Sequence, residues 1–281
     1  MRKIKTVFLL AVAFFVAAGF AVYMHKHGIV DTSGEVGISA GQAILIDGDT
    51  GKVLFEKAAD EKAYPASTTK IMTALITLET LEKYGSPIEQ KVEIPDEAEG
   101  VEGSSLYLKA GEKISMEDLL YGLMLVSGND AAVALADIIG GSQENFVAMM
   151  NDKAAELHCD NTHFANPNGL FDENHYTTAR DMAVIAREAM KNKTFRKIVA
   201  TEDWKAEREE STYLNFHNKN KTISQFEGGN GIKIGYTKSS GRTLVASSQR
   251  GERSMIAVVM SAPDWFNDAY RLMEFGFNGT K

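Results

Sequence analysis

The sequence predicts an α+β fold (α/β in the broad sense): an antiparallel sheet from both chain ends, flanked by helices, with an inserted mainly helical region. Three observations predict it. Residues 41–56 alternate apolar and other side chains around a turn-forming run. Residues 67–191 carry successive helix-like apolar stretches punctuated by capping residues and glycines. From about residue 198 short strand-like runs take over, and a last helical stretch follows. Strands, then many helices, then strands again fit one sheet made by the two ends.

The N-terminus stands apart. Arg2, Lys3 and Lys5 precede an unbroken apolar stretch from Val7 to Met24. Positive residues before an apolar run mark an export signal, with small-residue cleavage points after Ala18 or Ala21. The stretch is also just long enough to span a bilayer. Residues 1–24 therefore read as a signal peptide or an N-terminal membrane anchor. Either way the positive end stays inside and the rest of the chain lies outside the cytoplasmic membrane. Residues 25–37 read as a linker and residues 38–281 as the folded domain.

Gly41–Glu56 reads as a hairpin, with Asp47-Gly48-Asp49-Thr50-Gly51 as its turn. Ser67–Tyr84 is the strongest helix signal. It is apolar on nearly every face (Ile71, Met72, Leu75, Ile76, Leu78), which marks a buried helix. Ser67 then opens that helix, where the dipole favours negative charge on its oxygen. Residues 85–114 read as short strands and loops. Ser115-Met116-Glu117-Asp118 looks like a capping box opening a helix through Val126. Ser127-Gly128-Asn129 interrupts it. Ala131–Ile139 is a second apolar helix closed by Gly140-Gly141, and another covers about Gln143–His158. Thr178-Ala179-Arg180-Asp181 opens one more, to about Lys191. Gly231–Thr237, Thr243–Ser248 and Met255–Ser261 are strands, and Phe266–Phe275 a final helix.

Composition narrows the function. The formal net charge is −8 with no basic block, which speaks against nucleic acid as a partner. Cys159 is the single cysteine, so no internal disulfide forms. The scattered histidines make no zinc-type ligand set, and no metal or cofactor is expected. Cys159 reads as packing, and Glu207–Glu210 as a solvated acidic face.

Three short motifs carry chemistry. Ser67-Thr68-Thr69-Lys70 puts a hydroxyl and an amine three residues apart on one helical face. A neutral amine there can take the hydroxyl proton and make the serine a nucleophile. Alone, the tetrapeptide equally fits an N-cap serine followed by a solvated lysine. Ser127-Gly128-Asn129 between helices fits a plain turn as well as a cleft. Lys233-Ile234-Gly235 on a strand fits a solvated edge as well as a site, and its glycine allows close approach of another backbone or a ligand.

Together they are specific. S-x-x-K, S-x-N and K-T-G in that order form the signature of serine β-lactamases and penicillin-binding proteins. The flanking words agree: Tyr-Pro-Ala-Ser-Thr-Thr-Lys at 64–70, Leu-Val-Ser-Gly-Asn-Asp-Ala-Ala at 125–132, Asn-Pro-Asn-Gly-Leu at 166–170 and Gly-Ile-Lys-Ile-Gly-Tyr-Thr at 231–237. Over about residues 38–277 the chain resembles the low-molecular-mass penicillin-binding proteins, the D-alanyl-D-alanine carboxypeptidases of bacterial cell-wall metabolism. The resemblance implies a β-lactamase/transpeptidase-like fold and makes residues 38–281 a serine D,D-peptidase domain. Ser67 would attack the penultimate D-alanine carbonyl of a peptidoglycan stem peptide, forming an acyl-enzyme that water releases. Lys70 would be the base, and Ser127 would pass the proton to the leaving amine. Asn129 would hold the substrate amide, and Lys233 would supply the cation that keeps Lys70 neutral. The backbone N–H groups of Ser67 and Tyr236 would form the oxyanion hole. β-Lactam antibiotics would acylate the same serine.

Two positions depart from the family pattern. Ile234 replaces the usual threonine, whose hydroxyl helps hold the substrate carboxylate. The run Ala262-Pro263-Asp264-Trp265-Phe266 lacks the arginine common before the last helix. Thr237, Lys233 or Arg242 are the candidates to compensate. Extended members add a C-terminal β domain and an amphipathic anchor. Here the chain stops soon after the last helix, so an uncleaved N-terminal segment is weighted about equally with a cleaved one as the link to the membrane. Two other functions stay open from sequence: a β-lactamase, for which residues 164–175 offer only Asp172 and Glu173 as deacylation bases, and a catalytically weakened wall-binding homologue.

Overall fold

The computed structural model describes residues 36–209 and 211–279. The segment 1–24 and linker residues 25–35 lie outside the described residues. The compact unit considered below begins at Ser39.

The fold is mixed α/β. A five-stranded antiparallel sheet has the order β2-β1-β9-β8-β7. Strands β1 (Gln42–Asp47) and β2 (Val53–Lys57) form the N-terminal hairpin. Strands β7 (Gly229–Thr237), β8 (Gly241–Arg250) and β9 (Arg253–Met260) come from the C-terminal end. The two halves join where β1 pairs with β9, with Ile44 opposite Val258. Helices cover both faces, so the inner strands are apolar without alternation: Met255 to Met260 are all buried. The last helix, α8 (Trp265–Gly279), packs on β8 and β9, and α5 (Ala179–Ala189) lies against β1 and β9.

The inserted region holds the remaining long helices. Helix α1 (Lys70–Tyr84) is at its centre, with Ile71, Met72, Ala74, Leu75, Ile76 and Leu78 buried. Gly85 ends it in the left-handed conformation, φ 62°. Around it stand α3 (Asn129–Gly140), α4 (Gln143–Glu156) and α6 (Lys193–Ala200). Two-stranded ribbons pair β3 (Lys91–Glu93) with β4 (Lys113–Ser115), and β5 (Asp203–Lys205) with β6 (Asn215–His217). A single turn, α7 (Thr222–Gln225), leads into β7.

Several sequence expectations need adjustment. Ser67 does not open the α-helix. It lies in a 3-10 turn, Ala66–Thr69, and the α-helix starts at Lys70. Ala66 enters that turn with φ 48°, so the chain bends sharply after Pro65. The capping box at Ser115 is half made: Ser115 Oγ accepts from Asp118 N but donates to Asp118 Oδ2. The helix it opens, α2 (Met116–Tyr121), widens into a π turn at Gly122–Val126. The expected switch to strands near residue 198 comes later, because α6 runs to Ala200. The acidic face at 207–210 contains a buried residue: Arg208 pairs with Glu112 at 2.6 Å and donates to the Leu106 carbonyl at 2.8 Å. Among the described residues, no helix is long and apolar enough to cross a membrane.

Candidate active site

The 3-10 turn sets the geometry of the first motif. With 3.0 residues per turn, positions i and i+3 eclipse, so Ser67 stands over Lys70. The turn is held by hydroxyl donors on its carbonyls. Thr68 Oγ1 and Thr243 Oγ1 both donate to the Pro65 carbonyl, at 2.7 and 3.1 Å. Thr69 Oγ1 donates to the Ala66 carbonyl at 2.8 Å.

Two glycines let neighbouring backbones close on this turn. At Gly169 (φ 89°) a Cβ would sit 1.9 Å from the Ala66 oxygen. At Gly235 it would sit 2.9 Å from the Ser67 nitrogen and 2.6 Å from Thr243 Oγ1. The turn is thus wedged between the 166–170 loop and the edge strand β7. The close approach expected of Gly235 is made, and the partner is the backbone of Ser67.

Lys70 is fully buried. Its Nζ lies 2.6 Å from the Asn168 carbonyl, 2.7 Å from Asn129 Oδ1 and 3.1 Å from Ser67 Oγ. The Asn129 amide is oriented by its Nδ2, which donates to the Glu102 carbonyl at 2.7 Å. Both oxygens facing Lys70 are therefore acceptors only. A neutral amine has two hydrogens and one lone pair. With the hydrogens on Asn168 and Asn129, the lone pair is left for the Ser67 hydroxyl. Burial is the largest cause holding the Lys70 amine well below the usual lysine range. Lys233 and Lys219 push the same way, and Asp130 opposes them.

Lys233 is buried on β7, and burial with Lys219 brings it down to about 7. Lys219 is lowered by burial too, and its Nζ donates to the Val126 carbonyl at 2.8 Å. None of these lysines has a carboxylate in ion-pair contact among the described residues. The nearby buried acid, Asp130, is occupied. It accepts from Ser105 Oγ at 2.6 Å and from the Leu106 and Leu108 nitrogens at 2.8 and 3.2 Å. Lys233 and Lys219 thus bear on Lys70 with Asp130 as the opposing charge.

The sequence-predicted residues fall as follows. Ser67, Lys70 and Asn129 form one hydrogen-bonded cluster, and Lys233 acts on Lys70 by charge. Ser127 is buried at the end of the π turn with φ 70°, two residues from Asn129 and next to the carbonyl that Lys219 holds. Tyr236 follows Gly235 and is 65% exposed, so its side chain is open to a ligand. Thr237 is engaged elsewhere: its Oγ1 bonds to Ser240 Oγ at 2.9 Å and accepts from Ser240 N in the β7–β8 turn. Cys159 is buried, and burial pushes its thiol up to about 12, as suits a packing residue.

Sequence reasoning missed Asn168, Lys219, Asp130 and His175 as parts of this site. His175 Nε2 lies 2.7 Å from Thr69 Oγ1, and its Nδ1 accepts from Ala165 N at 3.0 Å. The Nδ1 bond fixes the neutral tautomer with the proton on Nε2, since Thr69 Oγ1 already donates to Ala66. His175 thus ties the serine turn to the loop that supplies the Asn168 carbonyl. Asn168 and Asp130 lay within quoted words, Asn-Pro-Asn-Gly-Leu at 166–170 and Leu-Val-Ser-Gly-Asn-Asp-Ala-Ala at 125–132, and Lys219 and His175 gave no signal.

The family model described as D-alanyl-D-alanine carboxypeptidase (peptidase S11) matches residues 29–264. The D-alanyl-D-alanine carboxypeptidase DacF of Bacillus subtilis (strain 168) is 42% identical over 229 residues, covering 81% of this chain and 59% of that protein. The D-alanyl-D-alanine carboxypeptidase of Streptomyces sp. (strain K15) is 36% identical, covering 85% of this chain and 88% of that one. The chain spans about three fifths of DacF and of the Escherichia coli (strain K12) carboxypeptidase DacC. Among solved structures, the Streptomyces K15 DD-transpeptidase superposes with a TM-score of 0.79 at 32% identity, covering 86% of this chain and 98% of that one. The carboxypeptidase DacD of Francisella tularensis superposes with a TM-score of 0.81 at 26% identity, covering 89% and 73%. By sequence and by fold alike, the chain belongs to the D-alanyl-D-alanine carboxypeptidase family, peptidase S11.

Proposed function

We propose that this protein is a serine D-alanyl-D-alanine carboxypeptidase that removes the terminal D-alanine from peptidoglycan stem pentapeptides through an acyl-enzyme on Ser67. The observation that carries the reading is the arrangement at Lys70: two acceptors for its hydrogens and a lone pair left facing Ser67 Oγ at 3.1 Å. Lys70 takes the hydroxyl proton, and Ser67 attacks the penultimate carbonyl. The N–H groups of Ser67 and Tyr236 receive the developing oxyanion. Ser127 returns a proton to the leaving amine. Asn129, besides orienting Lys70, has a remaining amide hydrogen and lone pair for the substrate amide. Lys233 and Lys219 supply the positive field that a substrate carboxylate enters. Tyr236 flanks the peptide. Thr237 serves the site through the turn it holds. Water completes the cycle.

A β-lactamase reading finds less support. Asp172 and Glu173, the two candidate deacylation bases, are both exposed, and Asp172 caps Asn174 N at 2.7 Å. A weakened wall-binding homologue is disfavoured by the intact Ser67–Lys70–Asn129 cluster. In this reading residues 38–281 are the catalytic domain. Residues 1–24 are an export signal or an anchor on the outer face of the cytoplasmic membrane, and β-lactams are acylating inhibitors.

Incubation with a fluorescent penicillin tests the nucleophile. Wild-type protein takes a covalent label, and Ser67→Ala takes none. Release of D-alanine from a stem pentapeptide then tests the reaction. An unlabelled, folded wild type would sink the proposal.

A further inference from the structure

A cavity of about 390 Å³ lies where helices α5 and α6 meet the sheet, a volume within the range of small-molecule sites. Its walls include Arg187 of α5, Arg196 of α6, Asn230 of β7, Ser247 of β8 and Asp49 of the β1–β2 turn. It is not the site of Ser67. Asn230 stands well before Gly235, the β7 residue that touches the serine turn, and the two are roughly 17 Å apart along the strand.

Two guanidinium groups reach this cavity with donors to spare. Arg187 donates from Nε to the Gly48 carbonyl at 3.1 Å and from Nη2 to the Asp49 carbonyl. Arg196 donates from Nη1 to the Met190 and Lys191 carbonyls at 2.6 and 2.9 Å. Backbone carbonyls thus pin each fork, and of its five N–H donors about three remain. Neither arginine has a carboxylate in ion-pair contact among the described residues. The other charges at the wall are engaged. Lys191 pairs with Glu188 at 2.6 Å, and Asp49 Oδ2 accepts from Ser254 Oγ at 3.0 Å. The buried Ser247 donates to Asn230 Oδ1 at 2.6 Å. That bond takes up the amide oxygen and leaves the Asn230 NH2 group as a further donor.

The groups left over are donors, and they come from three separate elements. A carboxylate has two oxygens, which one guanidinium fork already fills. A phosphate ester has four, enough to meet both forks and the amide, and planar forks are suited to phosphate. The cavity also has room for a small polyol on the phosphate. We propose that the cavity bounded by Arg187, Arg196 and Asn230 is a second binding site, for the phosphate ester of a small polyol, either free or as a lipid headgroup. The inference is independent of the peptidase reading, because no residue of this site belongs to the Ser67 cluster.

Calorimetric titration of the full chain in non-ionic detergent tests it with three ligands. These are glycerol phosphate, glycerophosphoglycerol (a lipid headgroup without its acyl chains) and glycerate, which carries a carboxylate instead. Wild type is expected to bind at least one of the phosphate esters about 10-fold or more tightly than glycerate, the gain of one further charged hydrogen bond. Tighter binding of glycerol phosphate supports the free ester, and tighter binding of glycerophosphoglycerol supports the headgroup. Arg196→Gln, at an exposed residue, is expected to weaken binding about 10- to 100-fold. Asn230→Asp keeps the side-chain size and an acceptor for Ser247 but brings a negative charge into the cavity, and is expected to weaken binding at least as much. Thermal unfolding midpoints near that of wild type show that the variants are folded. Both variants should take the fluorescent-penicillin label at the wild-type rate, as a separate site requires. Failure of wild type to bind either ester overturns the inference. So does equal affinity for glycerate, or an affinity that the folded variants leave unchanged. None of these three results bears on Ser67, whereas wild type that binds an ester but takes no label removes the peptidase reading alone.

Discussion

The Asn168 carbonyl stands 2.6 Å from the Lys70 amine, although 98 residues separate them in sequence. With Asn129 Oδ1 it fixes which way the amine presents its lone pair. In the proposed mechanism the serine is therefore activated by a loop and a neighbouring helix as much as by its own turn. Burial, with the cations Lys233 and Lys219 nearby, favours the neutral form of the amine.

Asn129→Asp tests that arrangement. The variant keeps an oxygen at Lys70 but adds a negative charge, which raises the lysine. It also sets a carboxylate against the Glu102 carbonyl that Nδ2 now serves. Acylation by penicillin at pH 7 is expected to fall by about 100-fold or more, the scale of a lost general base. The rate of the variant should climb toward alkaline pH, over a range where wild type is already level. Second-order acylation rates from pH 5 to 10 check this. A variant whose rate has the wild-type pH profile, merely scaled down, would show that Asn129 acts otherwise than through Lys70.

Gly169→Ala probes the other side of the turn. The residue has φ 89°, and its added methyl would lie 1.9 Å from the Ala66 oxygen, a backbone atom. Left-handed strain and a backbone clash together are expected to cost about 2–4 kcal/mol. Thermal unfolding should show a lowered Tm. Penicillin labelling well below that Tm should also be slowed, because relief of the clash moves Ser67 itself. A variant with the Tm and labelling rate of wild type would contradict the packing of the 166–170 loop on the turn.

Much of the site was legible because its side chains sit in short windows. Ser67 and Lys70, Ser127 and Asn129, and Lys233 each announce themselves with a neighbour. The apolar run after Lys70 already told that the lysine would be buried. What stayed hidden has physical reasons. The Asn168 contribution is a backbone carbonyl, which no residue type signals. Lys219 lies between asparagines and looks like surface, and Arg208 lies within an acidic run, yet both fold inward onto backbone carbonyls. Helix α6 escaped because it is short and its apolar residues Phe195, Ile198 and Val199 also suit a strand. The sheet was readable because the unbroken apolar runs of β8 and β9 are what burial on both faces requires.

His175 gives the fold a defined acid sensitivity. Burial is the main cause that lowers it from 6.5 to about 4; His163 and Lys70 push the same way, and Asp172 opposes them. Its Nδ1 must stay unprotonated to accept from Ala165 N. Above about pH 6.5 the ring is neutral whether the chain is folded or not, and it adds no pH dependence. As the pH falls from there, the unfolded chain gains a proton that the folded one refuses, and stability drops. The drop ends near pH 4, where the folded ring protonates too. Over that window the linkage is worth roughly 3 kcal/mol, at about 1.4 kcal/mol per pH unit. Lys233, lowered only to about 7, titrates above this window. The carboxylates Asp181 and Asp137, both raised by burial, are common to wild type and variant. Comparison with His175→Gln therefore isolates the histidine. Urea unfolding at intervals from pH 7.5 to 4 should show wild type losing about 3 kcal/mol more than the variant, although the variant starts lower at pH 7.5 for want of the bridge from Thr69 to Ala165. Parallel curves would mean that His175 takes up its proton in the fold over the same pH range as in the unfolded chain, and that the bond from Ala165 N does not hold the ring neutral.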